Sequence, residues 1–241
     1  MMKVTDYPAE YYLDKIKNNE PFSLIRIGDG EGLCCFNSPK IRINCDGSRF
    51  LPQIAEPMKQ IFRNQYPYYH CLLDCTFGHE YQDQAKLFSA FLEETCPEMP
   101  FYNGEIWQHL SFDGRITELI EAINPYSPCF VGGKDLQNIK HMKRLRSMKF
   151  IETPSKDSFL QFSRIFADVM IMYGAGCRFF GFATGYTTKV LIDRLWPVIG
   201  HDSFLIDFGS VFSPYCGKLI RDGMKHYGYQ KFQPYTHLKL G

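Results

Sequence analysis

Residues 22 to 35 read Phe-Ser-Leu-Ile-Arg-Ile-Gly-Asp-Gly-Glu-Gly-Leu-Cys-Cys. The largely apolar run at 22 to 27 has the length of a buried strand. Gly28, Gly30 and Gly32 let the chain turn sharply and bring its backbone close to a ligand. Because α/β enzymes bind ligands at the loops that follow their strands, this stretch predicts a strand with a binding site at its end.

Two carboxylates, Asp29 and Glu31, lie between these glycines. Each can offer an oxygen to Mg²⁺ or Mn²⁺, which keeps its other positions for water and substrate phosphates. Such an ion neutralises a departing diphosphate. A purely structural interpretation is also open, since Asp-Gly is a common turn pair and acids at a helix N-terminus are favoured by the helix dipole.

Strand-like and helical patterns alternate along the rest of the chain. Each strand-like run is short and rich in apolar or β-branched residues, and helical periodicity fills the gaps. The alternation predicts an α/β protein, a three-layer Rossmann-like sandwich whose mostly parallel sheet is covered by helices on both faces. The predicted strands span residues 22–27, 69–73, 127–131, 148–152, 177–182 and 203–207.

The clearest helical pattern covers residues 158 to 173, where aromatic and apolar residues recur at three- and four-residue spacing. Asp157 precedes it and is a favourable N-cap residue. Gly174 and Gly176 follow and predict its end.

Length and composition fit one domain over residues 1–241. Hydrophobic residues make up 45% of the chain and charged residues 22%, as is usual for globular proteins. No apolar stretch approaches the roughly 20 residues that span a membrane, and the first residues do not resemble a signal peptide. We therefore expect no membrane span and a cytoplasmic location, in a bacterium or a phage-infected host.

Nine cysteines raise the question of disulfides or zinc. Their odd number, the absence of a Cys-x-x-Cys pair and the lack of a secretion signal predict reduced thiols, most of them in the core. The histidines, including His70, His79 and His109, form no His-Glu-x-x-His motif, which argues against a zinc hydrolase.

Five segments occur in a fixed order: Ser-x-x-Arg-x-Gly-Asp-Gly-Glu at 23–31, and residues 130–134, 153–159, 181–191 and 206–210. Together they resemble the GT-D-type glycosyltransferases, bacterial enzymes that move a sugar from a nucleotide diphosphate. This chain departs from the family pattern in three places. Asp157 stands where the family has Asn, the family's Gly-Pro-Thr-Ala loop is not intact, and Ser210 replaces its late His.

The resemblance implies a nucleotide-sugar donor, with a UDP-sugar as the leading candidate, and Mn²⁺ or Mg²⁺ at Asp29 and Glu31. It extends to Arg26, Lys134 and Asp207 as further site residues. The acceptors it implies are protein-linked glycans or precursors of cell-surface polysaccharides.

Two other loops have the placement of phosphate sites. Residues 181–188 follow an apolar strand and open a helix, so their amides and the hydroxyls of Thr184 and Thr187 could hold a diphosphate. A plain turn with a threonine cap is the alternative. Lys134, after Gly132-Gly133, could reach a phosphate as a flexible charge or remain a solvated lysine.

Two acids are candidates for acid-base chemistry. Asp207 ends an apolar strand, where a carboxylate could take the acceptor's hydroxyl proton or could cap the turn at Gly209 and Ser210. Glu105 could accept hydroxyl protons or bind the sugar. Its neighbours Tyr102 and Trp107 could stack on a sugar or base, or pack in the core.

Charge is unevenly distributed along the chain. Residues 1–120 carry 11 Lys plus Arg against 17 Asp plus Glu, whereas residues 121–241 carry 16 against 9. A solvated helix is one interpretation of the basic stretch within residues 134–149, and attraction of a polyanion such as DNA is the other. Its cations are Lys134, Lys140, Lys143, Arg144, Arg146 and Lys149.

These patterns favour a metal-dependent glycosyltransferase that moves a hexose or pentose from a nucleotide diphosphate sugar to a hydroxyl. The basic stretch adds hydroxymethylated phage-type DNA to the glycan acceptors, and such a base would have to leave the stack. The alternative from another class is a nucleotide- or nucleic-acid-binding module without transfer activity. A phosphohydrolase ranks last because the chain has no nucleophile motif.

Overall fold

A computed structural model of the protein describes residues 4–36, 48–77, 82–220 and 222–240. Cys45 and His79 lie outside these ranges. The described strands form one sheet in which every pairing is parallel, in the order β1-β4-β3-β2-β8-β7-β5-β6. They are β1 (Val4–Thr5), β2 (Ser23–Ile27), β3 (Tyr69–Leu72), β4 (Phe101–Asn103), β5 (Cys129–Gly133), β6 (Lys149–Thr153), β7 (Phe179–Ala183) and β8 (Phe204–Asp207).

Helices cover both faces of the sheet. One face packs against α2 (Asp29–Phe36), α3 (Ala55–Asn64), α4 (Gln82–Thr95), α7 (Phe162–Gly174) and α8 (Thr187–Ile199). The other packs against α1 (Ala9–Lys17), α5 (Ile106–Phe112), α6 (Ile116–Ile123) and α9 (Asp222–Tyr227). The three-layer α/β prediction is therefore confirmed.

Successive strand residues point to opposite faces, which divides the core into two clusters. In β2, Leu24 packs under α1 and α5, whereas Ile25 packs under α3 and α8. Phe179 and Phe180 of β7 divide in the same way. Because both faces are covered, the strands are nearly continuous apolar runs, as parallel sheets require.

The six predicted strands are present, with bounds shifted by no more than two residues. Two further strands, β1 and β4, extend the sheet on the β3 side, where β4 pairs with β3 and β1 pairs with β4. They have two and three residues, too few for alternation or an apolar run to indicate a strand. The segment after residue 101, interpreted as a ligand surface, therefore begins as part of the sheet.

The helix predicted from residue 158 begins differently. Residues 158–161 form a single 3₁₀ turn, and α7 starts at Phe162. Asp157 has φ of +53° and makes no capping hydrogen bond, so its predicted N-cap role is wrong. Its carboxylate instead accepts hydrogen bonds from the backbone N–H and Nε of Arg49, both at 2.7 Å. The helix ends at Gly174 and the chain turns at Gly176, as predicted.

Trp107 belongs to the core. Its ring is 1% exposed and packs edge-on against Tyr12 and Phe208, so it is not placed to stack on a bound sugar. Seven of the eight described cysteines are buried. Within the described ranges, no helix combines the length and apolarity needed to cross a bilayer.

Candidate functional site

The carboxyl ends of the central strands enclose a cavity of about 220 Å³. It lies where β2 and β8 are neighbours, although they are far apart in the chain, and the loops after β3, β5, β6 and β7 complete its wall. This is the edge at which parallel α/β sheets bind ligands. The structure brings seven of the sequence-predicted residues to it: Arg26, Gly28, Asp29, Gly30, Glu31, Thr184 and Asp207.

Glu31 lies in the first turn of α2 and points back to the end of β2. Its Oε2 accepts a hydrogen bond from the Gly28 amide at 2.8 Å. This is the glutamate half of a capping box, in which the third helical residue satisfies the amide at the helix start. The hydrogen bond from the Gly28 amide therefore supports the structural interpretation of Glu31, in which the acid stabilises the start of the helix.

The other carboxylate oxygen of Glu31 is paired with Lys189, a residue that the sequence did not single out. Lys189 Nζ lies 2.9 Å from Glu31 Oε1 and 3.0 Å from Asp207 Oδ2. It also donates to the Gly185 carbonyl at 3.3 Å. An ammonium has three N–H donors, and each has an acceptor here.

Burial and the neighbouring charges have opposite effects on the pKa values of Lys189 and Glu31. Burial favours the neutral amine of Lys189, but the Asp207 and Glu31 carboxylates outweigh it and raise the pKa of Lys189. Burial likewise favours the protonated acid of Glu31, but the Lys189 charge and the Gly28 amide hold the pKa of Glu31 below its usual value. The lysine and its glutamate partner are therefore both ionised at neutral pH.

Asp207 links β8 to β2 and α8. Its Oδ2 accepts a hydrogen bond from the Arg26 amide at 3.1 Å, in addition to the Lys189 contact. Gly209, in the following turn, donates its amide to the Phe182 carbonyl instead. Among the described residues, Asp207 Oδ1 is buried and has no hydrogen-bond partner. The contacts of Asp207 therefore do not follow the pattern of a turn cap.

Asp29 has a different environment. It is half-buried on the cavity wall, and its Oδ1 accepts a hydrogen bond from the Gly30 amide at 2.9 Å. No described cation forms an ion pair with it. Mg²⁺ commonly binds one or two carboxylates together with substrate phosphates, and Asp29 fits such a site. Both Glu31 oxygens are engaged, and the described residues contain no group of three potential metal ligands.

Arg26 is buried at the cavity and joins two turns and the helix α5. Its Nε donates to the Gly104 carbonyl at 2.9 Å and its Nη1 to the Phe208 carbonyl at 2.8 Å. Its Nη2 donates to Gln108 Oε1 at 2.9 Å. These bonds fix the turns after β4 and β8 beside β2, so the structure gives Arg26 a positioning role.

Three described residues of the predicted site do not line the cavity. Glu105 lies beside Arg26, with Oε2 3.9 Å from Nη2, where it adds negative charge next to the guanidinium. Thr187 is 1% exposed in the first turn of α8, and Lys134 is exposed just after β5. The contacts of Glu105 do not support the acid-base role considered for it.

The start of α8 forms another part of the wall. Thr184, Gly185 and Tyr186 line the cavity, and the hydroxyls of Thr184 and Thr188 are 2.8 Å apart. The Thr184 amide donates to the Thr188 hydroxyl at 3.0 Å. These bonds tie the turn to the first turn of α8, but the N-cap residue is Tyr186 and no described side chain caps the helix, so the threonine-cap interpretation is wrong. The positive end of the helix dipole faces the cavity.

The basic stretch, residues 134–149, runs across the molecule rather than around the cavity. It begins at the carboxyl end of β5 with a 3₁₀ helix over Lys134–His141 and ends at the amino end of β6. Arg144 is ion-paired with Glu121. The predicted solvated helix is thus a 3₁₀ helix followed by a loop, and the stretch approaches the cavity at one end only.

Comparison with known proteins finds likeness in three-dimensional structure alone. No family model matches the chain, and no curated protein matches it. A selenomethionine-substituted structure of domain of unknown function 1792 (DUF1792) matches 99% of this chain and 96% of its own, with 18% identity and a TM-score of 0.64. A DUF1792 domain described as having a distinct glycosyltransferase fold matches over the same shares, with 18% identity and a TM-score of 0.63. This chain has the DUF1792 glycosyltransferase fold.

A further structure with this fold is described as a new glycosyltransferase (DUF1792) from Streptococcus sanguinis. It is 17% identical, with a TM-score of 0.64 over 87% of this chain and 82% of its own. The resemblance to GT-D-type glycosyltransferases is thus confirmed at the level of the fold. At this identity the likeness concerns architecture, and activity has to be argued from the site.

In this glycosyltransferase fold, Lys189 is the site residue that sequence reasoning missed. One signal was present, because the lysine lies in the first turn of a buried helix, where the helix dipole disfavours a cation. A buried lysine at that place needs carboxylate partners. Gln108 and Gly104, which hold Arg26, gave no comparable signal, since a carbonyl contact depends on the loop conformation.

Proposed function

We propose that this protein is a metal-dependent glycosyltransferase that moves a sugar from a nucleotide diphosphate sugar, with UDP as the leading nucleotide, to a hydroxyl acceptor. The observation that carries the proposal is the meeting of Asp29, Asp207 and the N-termini of α2 and α8 in one cavity of a glycosyltransferase fold. Helix N-termini attract phosphate, and a carboxylate beside them can share a divalent ion with it.

The residues have distinct roles in this proposal. The start of α8, with Thr184 and Gly185, binds the donor diphosphate, and Asp29 holds Mn²⁺ or Mg²⁺ with it. When bound, the ion supplies charge that stabilises the departing diphosphate. Gly28 and Gly30 keep the backbone close to the ligand.

Asp207 is the candidate base. Its Oδ2 accepts a hydrogen bond from the backbone amide of Arg26 and pairs with the Lys189 ammonium, which fixes the carboxylate. Its Oδ1 has no described hydrogen-bond partner. In an inverting transfer, the Asp207 carboxylate would take the proton of the acceptor hydroxyl, while the hydroxyl oxygen bonds to the anomeric carbon and the bond from that carbon to the diphosphate breaks. The geometry gives no matching role to Glu105.

The acceptor is a glycan, a protein-linked sugar or hydroxymethylated DNA. The position of the basic stretch supports a polyanionic acceptor only through residues near Lys134, since Lys149 lies at the opposite edge of the sheet. A nucleic-acid-binding module without transfer would bind duplex with an affinity that falls steeply as salt rises. A duplex titration at several salt concentrations measures this directly.

The decisive experiment is incubation with a panel of nucleotide sugars and Mn²⁺ or Mg²⁺, followed by measurement of nucleotide diphosphate release. Parallel reactions contain no acceptor, a glycan mixture or hydroxymethylated DNA, and a chelator control tests the metal. We expect release from one class of nucleotide sugar, increased by one acceptor and lost in chelator. Absence of both turnover and nucleotide-sugar binding across the panel would refute the proposal, whereas full activity in chelator would refute its metal part.

A further inference from the structure

We propose that Lys189 is a built-in cation of this site, which pairs with both Glu31 and Asp207 and leaves Asp29 as the carboxylate available to a divalent ion. The side chains of Lys189, Glu31 and Asp207 line the same cavity. The ammonium lies between one oxygen of each carboxylate, at 2.9 and 3.0 Å. It thus occupies the position in which a metal ion shared by Glu31 and Asp207 would lie.

The hydrogen bonds of Lys189 argue against a role as a mobile phosphate-binding lysine. Its three donors are directed at Glu31, Asp207 and the Gly185 carbonyl. Its side chain is 8% exposed, so it has little room to change partners. A phosphate could bind the ammonium only by displacing one of these acceptors.

The distribution of cations leads to the same assignment. Glu31 and Asp207 each have the Lys189 ammonium within 3.0 Å. The guanidinium of Arg26 is directed at Gly104, Phe208 and Gln108. Asp29 is the remaining charged member of the Asp-Gly-Glu motif, and no described cation pairs with it. The two acids of the motif therefore have different roles, since Glu31 is paired with Lys189 and Asp29 is left for the ligand.

The inference rests on the proposed donor site, but its consequence concerns metal affinity and can be measured without any sugar substrate. Replacing Lys189 by an uncharged side chain of similar length leaves Glu31 and Asp207 without their shared cation, beside Asp29. More carboxylate charge at a site binds a divalent ion more tightly. Loss of the lysine should therefore strengthen metal binding.

The test uses the full chain and Mn²⁺ alone, titrated by electron paramagnetic resonance. We expect Lys189→Met to bind Mn²⁺ about tenfold or more tightly than the unchanged protein. Lys140→Met, which removes an exposed lysine elsewhere, should bind Mn²⁺ as the unchanged protein does. Equal or weaker binding by folded Lys189→Met would overturn the proposal.

A second variant covers the case in which Lys189→Met does not fold without metal. Glu31→Gln combined with Lys189→Met removes one charge of each sign, so it should recover much of the thermal stability that Lys189→Met loses. It should also lose the tighter Mn²⁺ binding. If the double variant is no more stable than Lys189→Met, the lysine does not act by neutralising Glu31, and the proposal fails whether or not the protein transfers sugar.

Discussion

Nζ of Lys189 lies 2.9 Å from Oε1 of Glu31, and this ion pair separates the roles of two acids that are neighbours in the sequence. Glu31 is held on one side by the lysine and on the other by the Gly28 amide. Asp29, two residues earlier, lies on the cavity wall with the Gly30 amide as its described hydrogen-bond donor. In the Asp-Gly-Glu motif, one carboxylate is thus fixed by the scaffold and the other lies on the cavity wall.

Asp29→Asn should abolish sugar transfer while leaving stability nearly unchanged. The substitution keeps the size of the side chain and removes a charge proposed to act on the metal and diphosphate, so we expect kcat/KM to fall by about 100-fold or more. Nucleotide diphosphate release and thermal denaturation measure the two effects. Activity near that of the unchanged protein would exclude Asp29 from the reaction.

Glu31→Gln should lower both activity and stability. The amide keeps one hydrogen-bond acceptor but removes the charge opposite buried Lys189, which we expect to reduce the free energy of unfolding by about 1–3 kcal/mol. Urea denaturation of Glu31→Gln beside Asp29→Asn provides the measurement. Equal stability of the two variants would contradict the scaffold role of Glu31.

Arg26→Lys should destabilise the protein although it conserves charge. A lysine ammonium lacks the planar fork that reaches the Gly104 and Phe208 carbonyls together with Gln108, so buried acceptors lose their donors. We expect a loss of about 2–4 kcal/mol in the free energy of unfolding. Arg194→Lys, on the exposed side of α8, is the matched control and should change it by less than about 0.5 kcal/mol. Equal urea midpoints for the two variants would argue against the positioning role.

Two glycine substitutions should have opposite effects. A Cβ at Gly104 would lie 2.8 Å from the Leu72 carbonyl oxygen, a backbone atom within the sheet, and we expect Gly104→Ala to cost about 1–3 kcal/mol. A Cβ at Gly174, at the end of α7, has no neighbour within 4 Å among the atoms that the structure describes. Gly174→Ala should be neutral or stabilising by up to about 1 kcal/mol. Denaturation midpoints that do not differ would show that the turn after β4 is adaptable.

His70 should make stability depend on pH. Burial lowers the pKa of His70 to about 4, although its bond to the Tyr68 carbonyl opposes the change. Between that value and the pKa of an unfolded histidine, near 6.5, the unfolded chain binds the extra proton, so stability falls as the pH decreases.

The contribution of His70 amounts to about 2 kcal/mol between pH 7 and pH 5. The difference in urea stability between these two pH values should therefore be smaller in His70→Gln than in the unchanged protein. His109→Gln, at an exposed histidine, is the control and should retain the original dependence. The same pH slope in all three proteins would contradict a buried neutral His70.

Sequence patterns predicted the layers of this fold because burial on both faces leaves a direct trace in composition. Strands such as β2 and β7 must be apolar along their whole length, and the helices between them repeat at their own period. The short strands β1 and β4 left no such trace, since two or three residues hold too little pattern. The N-cap prediction for Asp157 was wrong for a related reason, because capping depends on the backbone angles of that one residue.

The sequence by itself determined that a strand ends in a glycine turn carrying two acids, that parallel strands place such turns at one edge, and that the chain resembles a glycosyltransferase family. Tertiary structure decided which of the two acids is paired with a buried lysine. Glu31 and Lys189 are 158 positions apart, and only the packing of α8 on β2 and β8 brings the ammonium within 3 Å of the carboxylate. Short-range patterns record the periodicity of each element. Contacts between distant residues such as Glu31 and Lys189 depend on the spatial order of the strands in the sheet.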